Sequence, residues 1–561
     1  MYTLRRGGTS LFVTAPPPPA GRLHPGGLRF KMRQTMPITD PTPCDSPLLP
    51  AASARPAENP GKICVALQAS TPAELIERAQ AALADALFLE FRLDALPAPA
   101  DALEPLRAFL AAHPEVTAIG TCRLLPHGGS FAGSLAQELE LLAQSAEAGC
   151  RIVDLEIESA ELAKPAQLDA LRQRLRAAGT QLLVSFHDFR QTHNLEFAVN
   201  RIRAFRPDFT KVVSTAHRLS DNLAVLRLIE ERSPSSRLVA LAMGEEGIVS
   251  RVLGPRAGAA FTFASAGAGI ETAPGQFTAQ TLRDLFHVEQ LDLQTRIFAV
   301  IGNPIAHSLS PLMQNAAFRA QDLNAILLPL KVTALDDLLT LLLELPLHGV
   351  AVTMPLKVEI LPHLATMDPL TRRIGACNTL RVLADGSIEG FNTDVAGVVR
   401  PLEKRLPLKG AKIAVLGAGG AARAAVFGLV DQGAEVFIVN RTHASAMALA
   451  AESGAAALKH EALASRRFDV LINSTPCGMK DARQPLPIAA HELNADLVFD
   501  LVYNPLQTPL LKLAAQRGIP TIGGIEMFVQ QGARQFELWT GKTAPEAEML
   551  RVVEGELRKR G

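Results

Sequence analysis

From residue 60 to about residue 290, short apolar runs alternate with longer amphipathic stretches. Most gaps between the runs carry helix-length patterns, for example at 73–86, 135–148 and 168–178. The eight runs of strand length are 63–67, 87–91, 117–121, 152–156, 182–186, 209–213, 238–242 and 260–263. Eight alternating strand and helix units over one segment predict a (β/α)8 barrel, spanning 60–290, more than an open sheet.

A second alternating segment follows a predicted linker helix at 281–294. The strand Phe298–Gly302 runs into a turn and a Ser-Pro helix start, and another buried strand follows at Lys412–Leu416. We therefore predict a second α/β domain at 296–400, completed by C-terminal helices at about 525–561, and a Rossmann domain at 401–524.

Composition sets limits on the function. The chain has 561 residues, so several domains are expected. Its 56 basic and 56 acidic residues balance, which argues against nucleic acid or an anionic membrane as partner and favours small-molecule substrates. No apolar stretch reaches the roughly 18 uncharged residues of a membrane span. The six cysteines show no close pairs, which fits a reducing cytoplasm, and no metal site is expected.

Residues 1–59 differ from the rest of the chain. They contain the run Pro16–Pro19 and no Asp or Glu before Asp40, so we predict a disordered extension. Its Arg-containing start weakly resembles an organellar transit peptide, which makes plastid import an alternative to a cytoplasmic location. A plain tail, or a true start at Met32 or Met36, are the other interpretations.

Lys211 is the first candidate for chemistry. It is one of three lysines between residues 60 and 290, and it stands inside the predicted strand 209–213. A lysine removed from water can be a neutral amine that condenses with a ketone as a Schiff base. The structural alternative is a lysine whose stem leaves the strand end and whose head reaches solvent.

Other polar residues follow the ends of the predicted strands, where a barrel gathers its chemistry. Each alone could be a structural ion pair or a satisfied core histidine, but their common placement favours one site. With Lys211, the set is Glu90, Arg92, Arg123, Glu156, His187, Arg251, Thr272 and Gln276.

The segments that carry these residues resemble the type I 3-dehydroquinate dehydratases. They are Phe-Leu-Glu-Phe-Arg-Leu-Asp at 88–94, Asp-Leu-Glu at 154–156, Ser-Phe-His-Asp-Phe at 185–189, the Lys211 strand, Met-Gly-Glu-Glu-Gly-Ile-Val-Ser-Arg at 243–251 and Ala-Pro-Gly-Gln at 273–276. The resemblance covers residues 60 to about 290. Thr272 stands where the family commonly has a Ser, which keeps the hydroxyl.

This resemblance implies a dehydration through an imine. Lys211 would condense with the C3 ketone of 3-dehydroquinate. His187, oriented by Glu156, would remove the C2 proton and then protonate the departing C1 hydroxyl. Arg251 would clamp the substrate carboxylate. Glu90, Arg92 and Arg123 would bind substrate hydroxyls or hold one another in place. Thr272 would also contact the substrate, and Gln276 would close over it from a lid loop.

The clearest cofactor signal is a strand, a glycine turn and a helix. Gly417–Ala422 reads GxGxxA directly after the strand Lys412–Leu416, where glycines permit the close approach of a pyrophosphate to a helix N-terminus. The next strand ends in Asn440-Arg441-Thr442 rather than in an acid, so Arg441 predicts a 2′-phosphate and NADP rather than NAD. The predicted cofactor contacts are Gly417, Gly419, Gly420, Ala421, Asn440, Arg441, Thr442 and Gly524.

Residues 296–561 as a whole resemble shikimate dehydrogenase. The matching segments are 303–311, Val-Thr-Met-Pro-Leu-Lys at 352–357, 375–379, Gly-Phe-Asn-Thr-Asp at 390–394, 473–479, 500–505 and Gly-Gly-Ile-Glu-Met at 523–527 leading to Gln531. The resemblance implies that Lys357 and Asp394 form the catalytic pair, with Lys357 supplying the proton as hydride arrives from NADPH. The implied substrate contacts are Ser308, Ser310, Thr353, Asn378, Tyr503 and Gln531. Ala351 and Gln314 depart from the family pattern, which often has Asn and His there.

The two resemblances describe consecutive reactions. The barrel would produce 3-dehydroshikimate and the second unit would reduce it to shikimate, and fusion raises the local concentration of the intermediate at the second site. Three alternatives stay open. They are a quinate/shikimate dehydrogenase that uses NAD, a non-catalytic regulator that senses these metabolites, and a generic Rossmann reductase beside an aldolase-like barrel.

Overall fold

The computed structural model describes residues 61–480, 484 and 486–560. The extension predicted at 1–59 lies outside the described residues. None of the helices in the described part of the chain combines the length and the apolarity that a bilayer span needs.

The first unit is a nearly closed barrel of eight parallel strands. The strands are β1 (Ile63–Leu67), β2 (Phe88–Arg92), β3 (Thr117–Thr121), β4 (Ile152–Glu156), β5 (Gln181–His187), β6 (Phe209–Thr215), β7 (Leu238–Met243) and β8 (Thr262–Ser265). Consecutive strands pair with each other from β1 to β7, and β1 also pairs with β8, while no hydrogen-bonded ladder joins β7 to β8 among these strands. The eight predicted strands are therefore confirmed.

Helices cover the outside of the barrel. They are α1 (Pro72–Ala82), α2 (Leu103–Ala112), α3 (Leu135–Glu147), α4 (Ile157–Leu162), α5 (Pro165–Ala178), α6 (Leu195–Arg203), α7 (Asp221–Arg232) and α8 (Ile248–Ala257). Local signals set several ends. Ser134 and Gln137 form a capping box before α3, and Gly179 takes a left-handed conformation after α5.

The inner face of the barrel changes character along the strands. Every second side chain of a strand points inward. The inward positions nearer the N-terminal ends of the strands are apolar and pack into one cluster, which includes Phe88, Ile119, Ile152, Leu183 and Phe209. Two residues further along each of these strands the inward positions are polar and buried, namely Glu90, Thr121, Asp154, Ser185 and Lys211. The barrel is thus sealed at its N-terminal end and carries chemical groups at its C-terminal end.

The predicted linker helix at 281–294 is wrong. The segment forms a single π turn at Thr281–Leu285 and a short 3-10 turn at Val288–Gln290, and His287 between them has a φ of 49°. Phe286 and Val288 are both buried. Residues two apart lie on opposite faces of an α-helix, so a break at His287 is what allows both side chains to enter the core.

The second unit contains a mixed sheet of order β10-β9-β11-β13-β14-β12. Its strands are β9 (Arg296–Gly302), β10 (Ala325–Lys331), β11 (Leu347–Val352), β12 (Thr366–Met367), β13 (Thr379–Val382) and β14 (Ile388–Phe391). Its helices are α9 (Ser310–Ala320), α10 (Leu335–Glu344), α11 (Leu356–Glu359), α12 (Pro369–Ile374) and α13 (Asp394–Glu403). One continuous apolar core runs from the barrel into this sheet, and it includes Phe286, Val288, Ile297 and Leu328.

The third sheet is fully parallel, of order β17-β16-β15-β18-β19-β20, which is the 3-2-1-4-5-6 order of a dinucleotide-binding fold. Its strands are β15 (Lys412–Leu416), β16 (Glu435–Val439), β17 (Ala456–Ala457), β18 (Phe468–Asn473), β19 (Ala495–Asp500) and β20 (Thr521–Ile522), with helices α14 (Gly420–Asp431), α15 (His443–Ser453) and α16 (Pro509–Gln516). The last helices, α17 (Gly524–Thr540) and α18 (Glu546–Arg560), return to the second unit. There Phe536 and Leu557 share a core with Phe298.

Candidate active sites

The polar layer of the barrel opens into a cavity of about 220 Å³. Every predicted barrel residue except Glu156 lines it: Glu90, Arg92, Arg123, His187, Lys211, Arg251, Thr272 and Gln276. Glu156 lies behind His187 and is 2% exposed. These side chains come from β2, β5 and β6, from the segment after β3, from the start of α8 and from the loop after β8. They meet only because the strands are parallel and closed into a ring.

Lys211 is buried in this layer, but its surroundings are not apolar. Its Nζ donates to Asp154 Oδ2 at 2.9 Å and lies 3.5 Å from Glu90 Oε1. The ring of Phe263 lies 4.3 Å from the same nitrogen. Two carboxylates and a π face stabilise a cation at this point, including the cation of a protonated imine.

His187 and Glu156 form a buried pair. Glu156 contacts His187 Nδ1 at 2.9 Å, accepts from Ser185 Oγ at 2.9 Å and lies 2.8 Å from Arg123 Nε. Burial, together with the charges of Arg123 and Lys211, holds the pKa of His187 well below its usual range, so its imidazole is neutral. Burial raises the pKa of Glu156 to about 7 against the opposing charge of Arg123. The Nε2 of His187 is left available to the cavity as a base.

Arg251 is a buried cation without an acid partner among the described residues. It is 1% exposed, its only side-chain hydrogen bond in the described residues runs from Nη2 to Pro274 O at 3.0 Å, and its Nε has none. Burial lowers its pKa to about 10, which still leaves it charged at neutral pH. A charged fork held ready at a cavity wall is suited to a carboxylate that arrives with a ligand.

Two further groups hold the cavity wall. Arg92 is fixed by a bidentate pair with the buried Asp94, at 2.9 and 2.8 Å. On the loop after β8, Gln276 Oε1 accepts from Thr272 N at 2.8 Å and from Thr272 Oγ1 at 3.2 Å. The oxygen of Gln276 is therefore engaged with its own loop, and its amide nitrogen is the atom free to meet a ligand.

The second unit has a cavity of about 330 Å³ at the C-terminal ends of β9 and β11. All eight residues predicted for catalysis and substrate binding line it: Ser308, Ser310, Thr353, Lys357, Asn378, Asp394, Tyr503 and Gln531. Tyr503 stacks on Phe528 with ring centroids 5.0 Å apart. Gln314 does not line it and instead donates to Gly532 O at 2.9 Å, which ties α9 to α17.

Lys357 and Asp394 are in direct contact. Lys357 Nζ donates to Asp394 Oδ2 at 2.6 Å, and Asn378 Nδ2 donates to Asp394 Oδ1 at 2.9 Å. The carboxylate is thus held from both sides. The backbone of Asp394 is fixed as well, because its N–H donates to Asn392 Oδ1 at 3.1 Å. This arrangement presents an ammonium group of fixed position to the cavity.

A larger groove of about 1410 Å³ runs along the carboxyl edge of the third sheet. Gly417, Asn440, Arg441 and Thr442 line it, together with His443, Lys459 and Thr475. Arg441 has no ion pair or hydrogen bond to any residue that the structure describes, so its charge is available to a ligand. Such a groove beside the first strand and helix of this sheet order is where dinucleotides bind.

The glycines of this region have different tasks. Gly417 has a φ of 115°, and a Cβ there would lie 2.7 Å from Ser474 Oγ. A Cβ on Gly419 or Gly420 would meet no atom within 4 Å, so the space before α14 is open. A Cβ on Gly524 would lie 2.5 Å from the Val502 backbone, and Gly524 does not line the groove. Its predicted cofactor contact, like that of Ala421, stays a prediction.

Family models match both units in chain order. The matches are the Type I 3-dehydroquinase at 63–292, the shikimate dehydrogenase substrate binding domain at 300–380, the shikimate/quinate 5-dehydrogenase at 401–480 and the shikimate 5′-dehydrogenase C-terminal domain at 524–554. The chain is 32% identical over 512 residues to the chloroplastic bifunctional 3-dehydroquinate dehydratase/shikimate dehydrogenase of Arabidopsis thaliana, covering 87% of this chain and 83% of that protein. The chain belongs to this bifunctional family.

The chain is similar to further proteins, one over its dehydrogenase half and one over most of its length. A shikimate dehydrogenase (NADP(+)) of Methanosarcina acetivorans is 41% identical over 273 residues, which are 46% of this chain and 97% of that protein. The solved dehydroquinate dehydratase and shikimate dehydrogenase from S. pombe AroM is 25% identical, with a TM-score of 0.43, and the match covers 89% of this chain and 98% of that chain.

Three polar residues at the dehydratase site were missed by the sequence analysis. Asp154 contacts Lys211, Asp94 holds Arg92, and Ser185 donates to Asp154 Oδ1 at 2.5 Å. Asp154 and Ser185 each stand two residues before a predicted site residue on the same strand. The period of two was therefore a signal that both point into the barrel.

Proposed function

We propose that the barrel dehydrates 3-dehydroquinate to 3-dehydroshikimate through an imine on Lys211, and that the second unit reduces this product to shikimate with NADPH. What supports both halves most directly is one recurring arrangement: a lysine nitrogen held by a carboxylate at a cavity wall, at 2.9 Å for Lys211 and at 2.6 Å for Lys357.

The imine forms when neutral Lys211 attacks the substrate ketone and water is released. Asp154 is a poor acceptor for the lysine proton: burial would raise its pKa, but Lys211 and Arg123 outweigh burial and hold that pKa below its usual range. The neutral His187 is the better base. Asp154 then stays ionised and stabilises the positive charge of the protonated imine.

The elimination uses the same histidine twice. His187 removes the C2 proton, whose electrons are drawn towards the iminium, and then returns that proton to the C1 hydroxyl, which leaves as water. The Glu156 carboxylate stabilises the imidazolium formed between these two steps. Arg251 holds the substrate carboxylate through charge-assisted hydrogen bonds. Hydrolysis of the imine then frees 3-dehydroshikimate and Lys211.

In the second unit, Lys357 donates a proton to the carbonyl oxygen of the substrate. NADPH, when bound, would supply the hydride to the carbonyl carbon. Asp394 keeps the ammonium in place and Asn378 keeps Asp394 in place, so the donor is oriented before substrate arrives. Ser308, Ser310 and Tyr503 are hydroxyl donors suited to the carboxylate and hydroxyls of the substrate ring.

Two features beside the third sheet suit NADP: the N-terminus of α14 and the side chain of Arg441. The start of α14 is free of side chains at Gly419 and Gly420, which lets a pyrophosphate approach the helix N-terminus. Arg441 carries an unpaired charge at the end of β16, where an adenosine 2′-phosphate would lie. When bound here, NADPH would supply the hydride, and the residues of this chain would fix its position.

The proposed partners are these small molecules alone, and the proposed compartment is the cytoplasm. None of the five cysteines in the described residues forms a disulfide, which agrees with a reducing environment. The Arabidopsis relative is named as chloroplastic. Import of the full chain into isolated plastids, compared with residues 60–561, distinguishes the two locations.

The deciding experiment gives the full chain 3-dehydroquinate with NADPH or NADH and follows shikimate. We expect shikimate with NADPH, and a borohydride-stable adduct on Lys211 when 3-dehydroquinate is present. Lys211→Met should abolish both, whereas the exposed Lys164→Met should abolish neither. Absence of an adduct with wild type would refute the imine.

The same assay separates the alternatives. A metabolite-sensing regulator would bind 3-dehydroquinate without turnover, and an NAD-dependent quinate/shikimate dehydrogenase would reduce 3-dehydroquinate to quinate with NADH. The complete Lys211, His187, Lys357 and Asp394 set favours turnover, because binding alone requires neither the imine lysine nor the proton donor.

A further inference from the structure

Two loops of the barrel touch the dehydrogenase unit directly beside the dehydratase site. The β6–α7 loop, residues 216–220, contacts Asp337 in the first turn of α10. The β7–α8 loop, residues 244–247, contacts Lys331 at the end of β10 through Glu245. Both barrel loops lie at the C-terminal end, where the dehydratase site is. The dehydrogenase unit therefore contacts and supports two loops of the dehydratase barrel.

Asp337 is the buried centre of this contact. It is 5% exposed, and its carboxylate accepts from Leu219 N at 2.7 Å and from Ser220 N at 3.0 Å. Helix α7 has no cap bond from its own N-cap side chain, Ser220. Asp337, which belongs to another domain, therefore binds two backbone N–H groups directly before the start of a barrel helix, where a carboxylate also interacts favourably with the helix dipole.

From α7, hydrogen bonds lead to the substrate clamp. Asn222 donates to Leu219 O at 2.9 Å and to Glu246 O at 2.7 Å. The Oδ1 of Asn222 accepts from Ser250 N at 2.9 Å, and Ser250 is the residue before Arg251. All of these bonds are formed by fully or partly buried groups, so a shift of the β6–α7 loop displaces the first turn of α8, which carries Arg251.

The lid loop is attached to the same place. Pro274 O accepts from Gly244 N at 3.1 Å and from Arg251 Nη2 at 3.0 Å. A Cβ on Gly275 would lie 2.1 Å from Gly244 O, so the lid and the β7–α8 loop pack backbone against backbone. The loop that carries Gln276 and the clamp Arg251 therefore share one support.

We propose that Asp337, a residue of the dehydrogenase unit, is a positioning residue for the dehydratase: by holding the Leu219 and Ser220 N–H groups before α7 it fixes Arg251 and the lid for the carboxylate of 3-dehydroquinate. This inference rests on the proposed role of Arg251. Glu156, His187 and Lys211 stand on β4, β5 and β6, respectively, and do not take part in the chain of bonds from Asp337. Loss of Asp337 should therefore weaken substrate binding more than it slows the chemical steps.

The experiment uses the full chain with Asp337→Ala, Asp337→Asn and the control Asp336→Ala. Asp336 is the neighbouring acid, with a side chain 76% exposed and paired to the surface Arg218. We expect Asp337→Ala to raise the dehydratase KM by about tenfold or more with a smaller change in kcat, because displacement of a positioning group by a fraction of an ångström has effects of this size. Asp337→Asn, which keeps one acceptor, should lie between Asp337→Ala and wild type. Asp336→Ala and the reductase activity of every variant should stay within about twofold of wild type.

A double-mutant cycle tests the path through Arg251. If Asp337 acts through Arg251, Asp337→Ala should raise KM no further in an Arg251→Met background. An unchanged dehydratase KM in Asp337→Ala, or equal losses of both activities with a lower melting temperature, would overturn the inference. If Asp337→Ala does not fold, Asp337→Asn against Asp336→Asn decides in the same way. Borohydride trapping with wild type tests the proposed function separately, so failure of that function and failure of this inference remain distinguishable.

Discussion

Replacing Arg251 with methionine should stabilise the free protein while it destroys substrate binding. Arg251 is buried with one hydrogen bond, to Pro274 O at 3.0 Å, and it pairs with no carboxylate in the described residues. A buried charge without a partner destabilises the folded state. Arg251 therefore destabilises the free protein, and its charge becomes favourable only when the substrate carboxylate is bound.

The size of this effect follows from the pKa. Burial lowers the pKa of Arg251 from 12.5 to about 10, and each tenfold loss of proton affinity corresponds to about 1.4 kcal/mol, so the charge costs the folded state about 3 kcal/mol. The lost hydrogen bond offsets about 1 kcal/mol. We expect a net stabilisation of about 1–2 kcal/mol, or about 2–8 °C in melting temperature for a unit of this size. Because the folded pKa is the lower one, the cost is complete below about pH 10 and fades towards pH 12.5.

The catalytic efficiency of the dehydratase should fall in the same variant, although its stability rises. Two charge-assisted hydrogen bonds to the substrate carboxylate are worth about 3–6 kcal/mol together, so kcat/KM for 3-dehydroquinate should fall by about 10²- to 10⁴-fold. The assay is calorimetry with and without 3-dehydroshikimate, which identifies the melting transition of the barrel, together with steady-state kinetics.

The control is Arg176→Met, which removes an exposed arginine from the last turn of α5 and should change the melting temperature little. A variant Arg251→Met that melts below the control, or that keeps its KM for 3-dehydroquinate, would refute the reasoning. In the first case Arg251 would be a stabilising structural cation, and in the second the carboxylate would bind elsewhere.

Four further outcomes are expected. Burial raises the pKa of Glu156 to about 7, and Glu156 stabilises the imidazolium only as a carboxylate. Dehydratase kcat should therefore rise with pH through about 7. Glu156→Gln should be about 100-fold slower and should lack that inflection. The inflection persisting in the variant would argue against this role. Lys357→Met and Asp394→Asn should each reduce reductase kcat by about 10²-fold or more, while the dehydratase activity is unchanged. A control substitution at the exposed Lys409 should retain both activities. Full reductase activity in Lys357→Met would show that Lys357 is not the proton donor. Arg441→Gln should raise the KM for NADPH by about tenfold and leave that for NADH unchanged, since only the former carries the 2′-phosphate; equal changes for both cofactors would place Arg441 away from that phosphate. Gly417→Ala should weaken NADPH binding and lower the melting temperature, because its φ of 115° and the 2.7 Å approach of Ser474 Oγ both oppose a Cβ; normal binding by this variant would mean that the turn can relax.

The fold was predictable because its signals are local. Buried parallel strands are continuous apolar runs, and eight of them separated by helix-length patterns leave few arrangements other than a barrel. The linker helix was predicted wrongly for the opposite reason. The break at His287 serves the burial of both Phe286 and Val288 in the core that the barrel shares with the second unit, which no local pattern reveals.

The sequence by itself determined which residues are candidates for chemistry, since motif spacing and strand ends depend only on chain order. Only the tertiary structure decided what these residues contact. It put Asp154 beside Lys211, left Arg251 without an acid partner among the described residues, and brought Asp337 from the dehydrogenase unit to the start of a barrel helix, 118 residues away in sequence from its partner Leu219. Charge and solvation at a site arise from such distant contacts, and therefore proton affinity and orientation are properties of the fold.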